Sequence, residues 1–156
     1  MTGDLAGVAV LPQSVRWSAR SWLIAVAAGG LEAVIHTLTN EGYNAAVELR
    51  VRAVVYVLVI VFVVQLLRGR AWARIALTVV LGGLGMFSLL AEPVSWLMSG
   101  GSPGAFLAAA DVPTVVVVVI RAVHVVAVIV ALVLMYRPAA NSYFSSGALT
   151  EKANLR

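Results

Sequence analysis

The chain predicts an all-α fold, an integral membrane four-helix bundle. Three observations predict it: four long apolar runs, short polar connections between them, and too few charges for a soluble core. Hydrophobic residues fill 62% of the 156 positions and charged residues 12%, whereas a typical soluble domain carries roughly 25% charged residues. A helix rises about 1.5 Å per residue, so a hydrocarbon layer roughly 30 Å thick takes about 20 residues to cross. The runs Ser21 to Leu38, Val47 to Leu67, Trp72 to Leu90 and Pro113 to Tyr136 meet that length. They define one domain over residues 21–136, flanked by a segment 1–20 and a tail 137–156.

The first run follows Arg16 and Arg20 and contains Ala25, Val26, Ala27 and Ala28. It resembles a signal peptide only superficially, because the small residues arrive too soon after Trp22 and the apolar run continues to Leu38; an uncleaved signal anchor is expected. The second run carries Glu48 and Arg52 at the acid-first spacing that favours an intrahelical pair, with Tyr56 extending the same face. The third contains Gly82, Gly83 and Gly85 within an apolar helix, which is packing chemistry and not a phosphate loop. Between Ala91 and Val112 the chain is rich in Gly, Pro and Ser. Two readings stand there: a partly helical flap in the interface covering the charged residues, or a disordered connector.

Asp111 before Val112 and Pro113 supplies an N-cap and a first-turn proline for the fourth span. The Val115 to Val119 run has strand propensity, but an isolated strand cannot satisfy its backbone in lipid, so helix is expected. Pro138 is expected to stop that helix and leave a mobile polar tail containing Ser142, Ser145, Ser146, Lys152 and Arg156.

Orientation follows from the basic residues. Arg16 and Arg20, then Arg68, Arg70 and Arg74, then Arg137, Lys152 and Arg156 fall on one side of such a bundle. The opposite connections carry Glu41, Glu48, Glu92 and Asp111 against Arg50 and Arg52. The positive-inside rule therefore places both termini in the cytoplasm of a multi-pass plasma-membrane protein. Trp22, Trp72, Trp96 and Tyr136 lie near predicted boundaries, where amphipathic rings prefer to sit. The net charge of +4 clusters at helix ends without interleaved aromatics, which points to anionic lipid headgroups at the cytoplasmic face and not to nucleic acid.

Charges at bilayer depth are costly and usually face protein. Six ionisable residues reach that depth: Glu32, His36, Glu48, Arg52, Arg121 and His124. Counting from Arg20, Glu32 lies roughly 18 Å in and His36 roughly 24 Å; counting back from Arg137, His124 lies roughly 20 Å in and Arg121 roughly 24 Å; Arg52 lies roughly 24 Å from Arg68. They form a level set in the outer half of the bundle. Ala25, Gly29, Glu32 and His36 share one helical stripe, which should therefore face protein. On the third span Leu81, Gly85, Ser88 and Glu92 repeat that pattern while Gly82 and Gly83 thin the neighbouring face, and Ala131 on the fourth span is a further close-packing position. Three readings of the cluster remain. Arg121 and Arg52 are neutralised by Glu32 and Glu48 to fix helix register; or the histidines relay protons beside a carboxylate; or Glu32, His36 and His124 ligate a divalent metal. The first is preferred, so no catalytic, cofactor-binding or metal residues and no cofactor are expected.

No cysteine is present, which removes disulfides and thiolate metal sites. No P-loop, dinucleotide fingerprint, HExxH or nucleophile elbow occurs. The boundary segments Arg68, Gly69, Arg70, Ala71, Trp72, Ala73, Arg74 and Arg137, Pro138, Ala139, Ala140, Asn141, Ser142, Tyr143, Phe144 resemble those of small four-span membrane proteins of actinobacteria, and the Ala, Val and Arg bias suits a high-GC genome. That resemblance implies the four-span arrangement and transfers no functional residue, because most such proteins have no assigned activity. The expected function is a non-enzymatic accessory subunit of a larger envelope complex such as a transporter, in contact with other membrane subunits or with copies of itself. A small proton, ion or solute carrier using Glu32, Arg121 and His124 is the alternative, and a lipid-modifying enzyme the third.

Overall fold

The computed structural model describes residues 11–39 and 45–145, the side chains of 39 and 45–49 excepted. They form helices α1 (Gln13–Thr39), α2 (Ala45–Leu67), α3 (Ala71–Met98), α4 (Pro103–Ala109), α5 (Val112–Met135) and α6 (138–145), with no strand among the described residues. Four of these, α1, α2, α3 and α5, are long and apolar enough to cross a membrane. The all-helical, four-span architecture is as the sequence predicts. Glu41, Lys152 and Arg156, used above for orientation, lie outside the described residues, as does the side chain of Glu48.

Contacts define two ends. Ser18 on α1 donates to the Ala131 carbonyl of α5 at 2.8 Å, the Thr78 and Tyr136 hydroxyls lie 2.8 Å apart, and the Tyr143 hydroxyl donates to the Leu67 carbonyl at 2.9 Å. These bonds gather the start of α1, the α2–α3 turn and the end of α5 at one end, here the terminal side. Successive spans therefore run up and down, and the opposite end is the α4 side. The core occupies the terminal half: Val15, Trp22, Val59, Leu66, Leu77, Val128, Met135 and Phe144 are buried there, and α1 against α5 is the most extensive pairing.

Helix α1 begins at Gln13 and not Ser21. Val15, Ser18, Ala19, Trp22 and Ala25 recur at three- and four-residue spacing and are all buried, so one stripe continues through the polar stretch around Arg16 and Arg20. Helix α2 stops at a turn in which the Gly69 N–H bonds the Leu66 carbonyl (3.0 Å) and the Arg70 N–H bonds the Gln65 carbonyl (3.1 Å). Gly69 has φ +77°, the left-handed position that glycine fills at little cost in such a helix stop.

Helix α3 is longer than the predicted third span, continuing past Leu90 through Glu92 and Pro93 to Met98. Its middle, Thr78–Gly85, is a π-helix, the widened form that usually appears only as short inserts within α-helices. Three glycines in that stretch relieve crowding in the wider coil. Gly100, at φ +90°, ends α3 with the same bond pattern as Gly69.

The 92–111 stretch is thus neither a disordered connector nor a long loop. Its second half holds α4, capped by Ser102 and tied to α3 by an edge-on contact between Phe106 and Trp96 with ring centroids 5.7 Å apart. Asp111 accepts from the Thr114 N–H at 3.0 Å and caps α5, with Pro113 in the first turn.

The expected mobile tail is corrected for residues 138–145. Pro138 begins a new helix, α6, because a first-turn proline loses no helical hydrogen bond. Ala140 and Phe144 are buried in the core. Arg74 donates to the Asn141 side-chain oxygen and stacks over the rings of Tyr136 and Phe144, at 4.8 and 5.2 Å.

Candidate intramembrane polar site

On the α4 side the bundle brings together Glu32, Glu92 and Arg121. Arg121 of α5 donates from Nε to Glu32 Oε1 of α1 at 2.7 Å, and from Nη1 to Glu92 Oε2 of α3 at 3.5 Å. One guanidinium thus joins three spans. Glu32 is 4% exposed, so its carboxylate depends on Arg121; removing one member of a buried pair costs about 3–5 kcal/mol because the other charge is left uncompensated. His36, one turn beyond Glu32, has Nε2 at 3.8 Å from the same Oε1, too long for a hydrogen bond.

Helix geometry explains the meeting. Glu32 lies seven residues from the end of α1, Arg121 nine residues into α5 and Glu92 six residues before the end of α3, or about 9–14 Å from those helix ends. At 27 and 28 residues, α1 and α3 are about 40 Å long, so about 5 Å of each end projects beyond a 30 Å hydrocarbon layer. The pair therefore sits about two turns inside the α4-side ends of the helices. Glu92 was expected in a loop; its place on α3 makes it the third member. The stripe Leu81, Gly85, Ser88, Glu92, spaced four, three and four, is the sequence signal that carries the third span's face on to it.

Two further polar side chains lie one turn deeper, both against Gly29. A Cβ on Gly29 would lie 3.2 Å from the Tyr56 hydroxyl, 3.2 Å from His124 Cε1 and 3.4 Å from His124 Nδ1. Gly29 is therefore the gap in α1 that lets Tyr56 of α2 and His124 of α5 approach. His124 Nδ1 is buried with no hydrogen-bond partner, and Tyr56 has an interaction of its own.

The remaining expected positions divide. Ala25 and Ala131 are buried between α1 and α5, and Gly82 receives Leu132, whose side chain would lie 3.1 Å from a Cβ there. Gly85 meets only atoms of its own helix. Arg52 is half-buried and has an interaction of its own, and the side chain of Glu48, its expected partner, lies outside the described residues. Among the described residues no three His, Cys, Asp or Glu side chains converge as a metal site. Glu32, His36 and His124 are accordingly not assembled as ligands, because His124 lies over Gly29.

Beside the ion pair, α3 and α5 diverge around a groove of about 910 Å³. Leu89, Pro93, Val118, Ala122 and Val125 form its apolar length, and Glu92, Arg121, Ser95 and Ser99 are its polar groups. In comparisons with protein families, curated proteins and solved structures, nothing matches the chain.

Proposed function

We propose that this chain is a non-enzymatic accessory subunit of a larger membrane complex, such as a transporter, seated against its partner along the outward face of α3. The observation carrying this reading is the unequal burial of the spans: 6% of the most apolar window of α3 is buried, against 39% for α1. Along that face Ile75, Val79, Phe87, Val94 and Met98 are exposed, and Gly83 between them meets no other helix. Helix association in lipid relies on close packing at small residues, and this face has both the dent and the flanking bulk for it. The polar groups support a structural role, since Arg121 is bonded to Glu32 and Glu92.

The proposed orientation has both termini in the cytoplasm of the plasma membrane, with Arg16, Arg20, Arg68, Arg70, Arg74 and Arg137 meeting anionic headgroups. Purification in mild detergent after in-cell crosslinking at Phe87 or Val94 is expected to recover a second membrane protein; a solitary monomer, uncrosslinked at both positions, overturns the reading.

A second reading, a small proton or solute carrier, draws on the unpartnered His124 Nδ1 beside Tyr56 and one turn from the ion pair. Reconstituted liposomes distinguish it. Proton flux that His124→Ala abolishes while the fold is retained supports the carrier, and flux no greater than in empty vesicles removes it.

A further inference from the structure

The α3–α5 groove joins two chemistries that a bilayer amphiphile also joins. Its walls are hydrocarbon: Leu89 and Pro93 from α3, Val118, Ala122 and Val125 from α5. At about 910 Å³ it lies at the upper end of the range of small-molecule sites, about 300–1,000 Å³. Its polar groups lie within about 9–14 Å of the α4-side helix ends, nearer one end of the spans than their middle, as a headgroup would require. We propose that the groove holds one zwitterionic aminophospholipid, with its phosphate on the Arg121 guanidinium, its ammonium on Glu92 and an acyl chain running inward along Leu89, Ala122 and Val125.

Charge selects the headgroup. Arg121 carries one positive charge, and Glu32 and Glu92 one negative charge each, so the trio is net negative. Glu32 takes the Nε edge of Arg121 at 2.7 Å, while Glu92 holds Nη1 only at 3.5 Å, longer than the roughly 2.7–2.9 Å of a strong charge-assisted bond. The Glu92 side chain is 81% exposed and that of Arg121 29%. This loose pair offers a cation to a phosphate and an anion to an ammonium. An anionic lipid would add a second net negative charge beside Glu92, whereas a zwitterion adds none.

Hydrogen bonding selects the amine. The Ser95 and Ser99 hydroxyls donate to the carbonyls of Glu92 and Trp96, which leaves their oxygens as acceptors at the groove. A primary ammonium supplies N–H donors to them and to Glu92; a quaternary choline supplies none. Trp96, a ring that can attract choline by cation–π contact, also lines the groove at 38% exposure, with Phe106 edge-on to it and Gly101 against it, so phosphatidylcholine is the competitor that the test must separate.

The test is native mass spectrometry of the full chain, delipidated in detergent and offered equimolar phosphatidylethanolamine, phosphatidylcholine and phosphatidylglycerol of identical chains. The expected result is retention of one ethanolamine lipid, preferred about tenfold over each of the others, the size of one hydrogen bond to a charged group. Glu92→Gln, at an exposed carboxylate, is expected to erase the preference over choline. Ala122→Trp, at an exposed wall position, should reduce retention of all three lipids while circular dichroism stays helical. Equal or stronger retention of phosphatidylglycerol overturns the proposal, and so does a preference unchanged by Glu92→Gln. If a second copy of the chain fills the groove instead, Ala122→Trp shifts the oligomeric state and leaves lipid retention intact, which also overturns it. None of these outcomes depends on the accessory-subunit reading, which crosslinking on the outward face of α3 tests separately.

Discussion

Glu32 and Arg121 stand 89 positions apart in the chain and share a hydrogen bond of 2.7 Å, the one charge-assisted bond between α1 and α5 described on the α4 side. The terminal half of the same pairing is closed by apolar packing and by the bond from Ser18 to Ala131. The two halves of one interface are thus held by different forces, and they should respond differently to substitution.

Arg121→Gln is expected to destabilise the protein by about 3–5 kcal/mol, because Glu32 is left charged and buried. The double variant Glu32→Leu with Arg121→Met should recover much of that loss, since it removes both desolvation penalties at similar volume. Unfolding in mixed detergent micelles measures both. A single substitution costing under about 0.5 kcal/mol, the range of ordinary surface changes, would show that the pair contributes nothing to the fold.

Two glycines should behave oppositely. Gly29 faces His124 and Tyr56 at a distance where an added methyl is already crowded, so Gly29→Val is expected to cost about 1–3 kcal/mol by overpacking. Gly83 has only the Thr78 carbonyl of its own helix within reach. Gly83→Ala should therefore leave the monomer's stability unchanged or raise it by up to about 1 kcal/mol through helix propensity. Equal losses at both positions would contradict the packing described for α1, α2 and α5.

How far these features were legible depended on which signal each residue sends. Glu32 and Arg121 could be placed level with each other by counting helical rise, because both lie inside uninterrupted apolar runs. Glu92 fell outside that count because the predicted third span stopped at Leu90, before a stretch rich in Gly, Pro and Ser, although α3 passes through it. Pro138 misled in the same way, since proline terminates one helix and starts another equally well, and only the burial of Ala140 and Phe144 decides between them. The extension of α1 below Ser21 was hidden by Arg16 and Arg20, whose charges dilute local hydropathy without disturbing the stripe from Val15 to Ala25. The π-helix at Thr78–Gly85 has no sequence signature beyond its glycines.

The docking of α6 yields a direct test. Phe144 is 2% exposed, and Phe144→Ala is expected to cost about 3–5 kcal/mol, as for other buried aromatics. Tyr143→Phe removes only the bond to the Leu67 carbonyl and should cost about 0.5–1.5 kcal/mol. Hydrogen exchange would show protected amides through 140–144 in the parent and their loss in Phe144→Ala. Exchange at the free-peptide rate in the parent would return this segment to a mobile tail.

Acid should weaken the opposite end of the molecule through Asp111. Hydrogen bonds from Thr114, the side chain's first and the backbone's second, hold its carboxyl below the ordinary 3.8, and they outweigh the opposing effect of desolvation. A carboxyl whose folded pKa is depressed stabilises the fold fully above its unfolded value and loses that contribution as pH falls through the folded one. The stability difference between the parent and Asp111→Ala should therefore be constant from neutral pH down to about 5 and shrink only below the unfolded value. Unfolding in mixed detergent micelles across that range measures it. A difference already lost near neutral pH, or one persisting undiminished after Asp111 is protonated, would mean that the carboxylate cap does not anchor the first turn of α5.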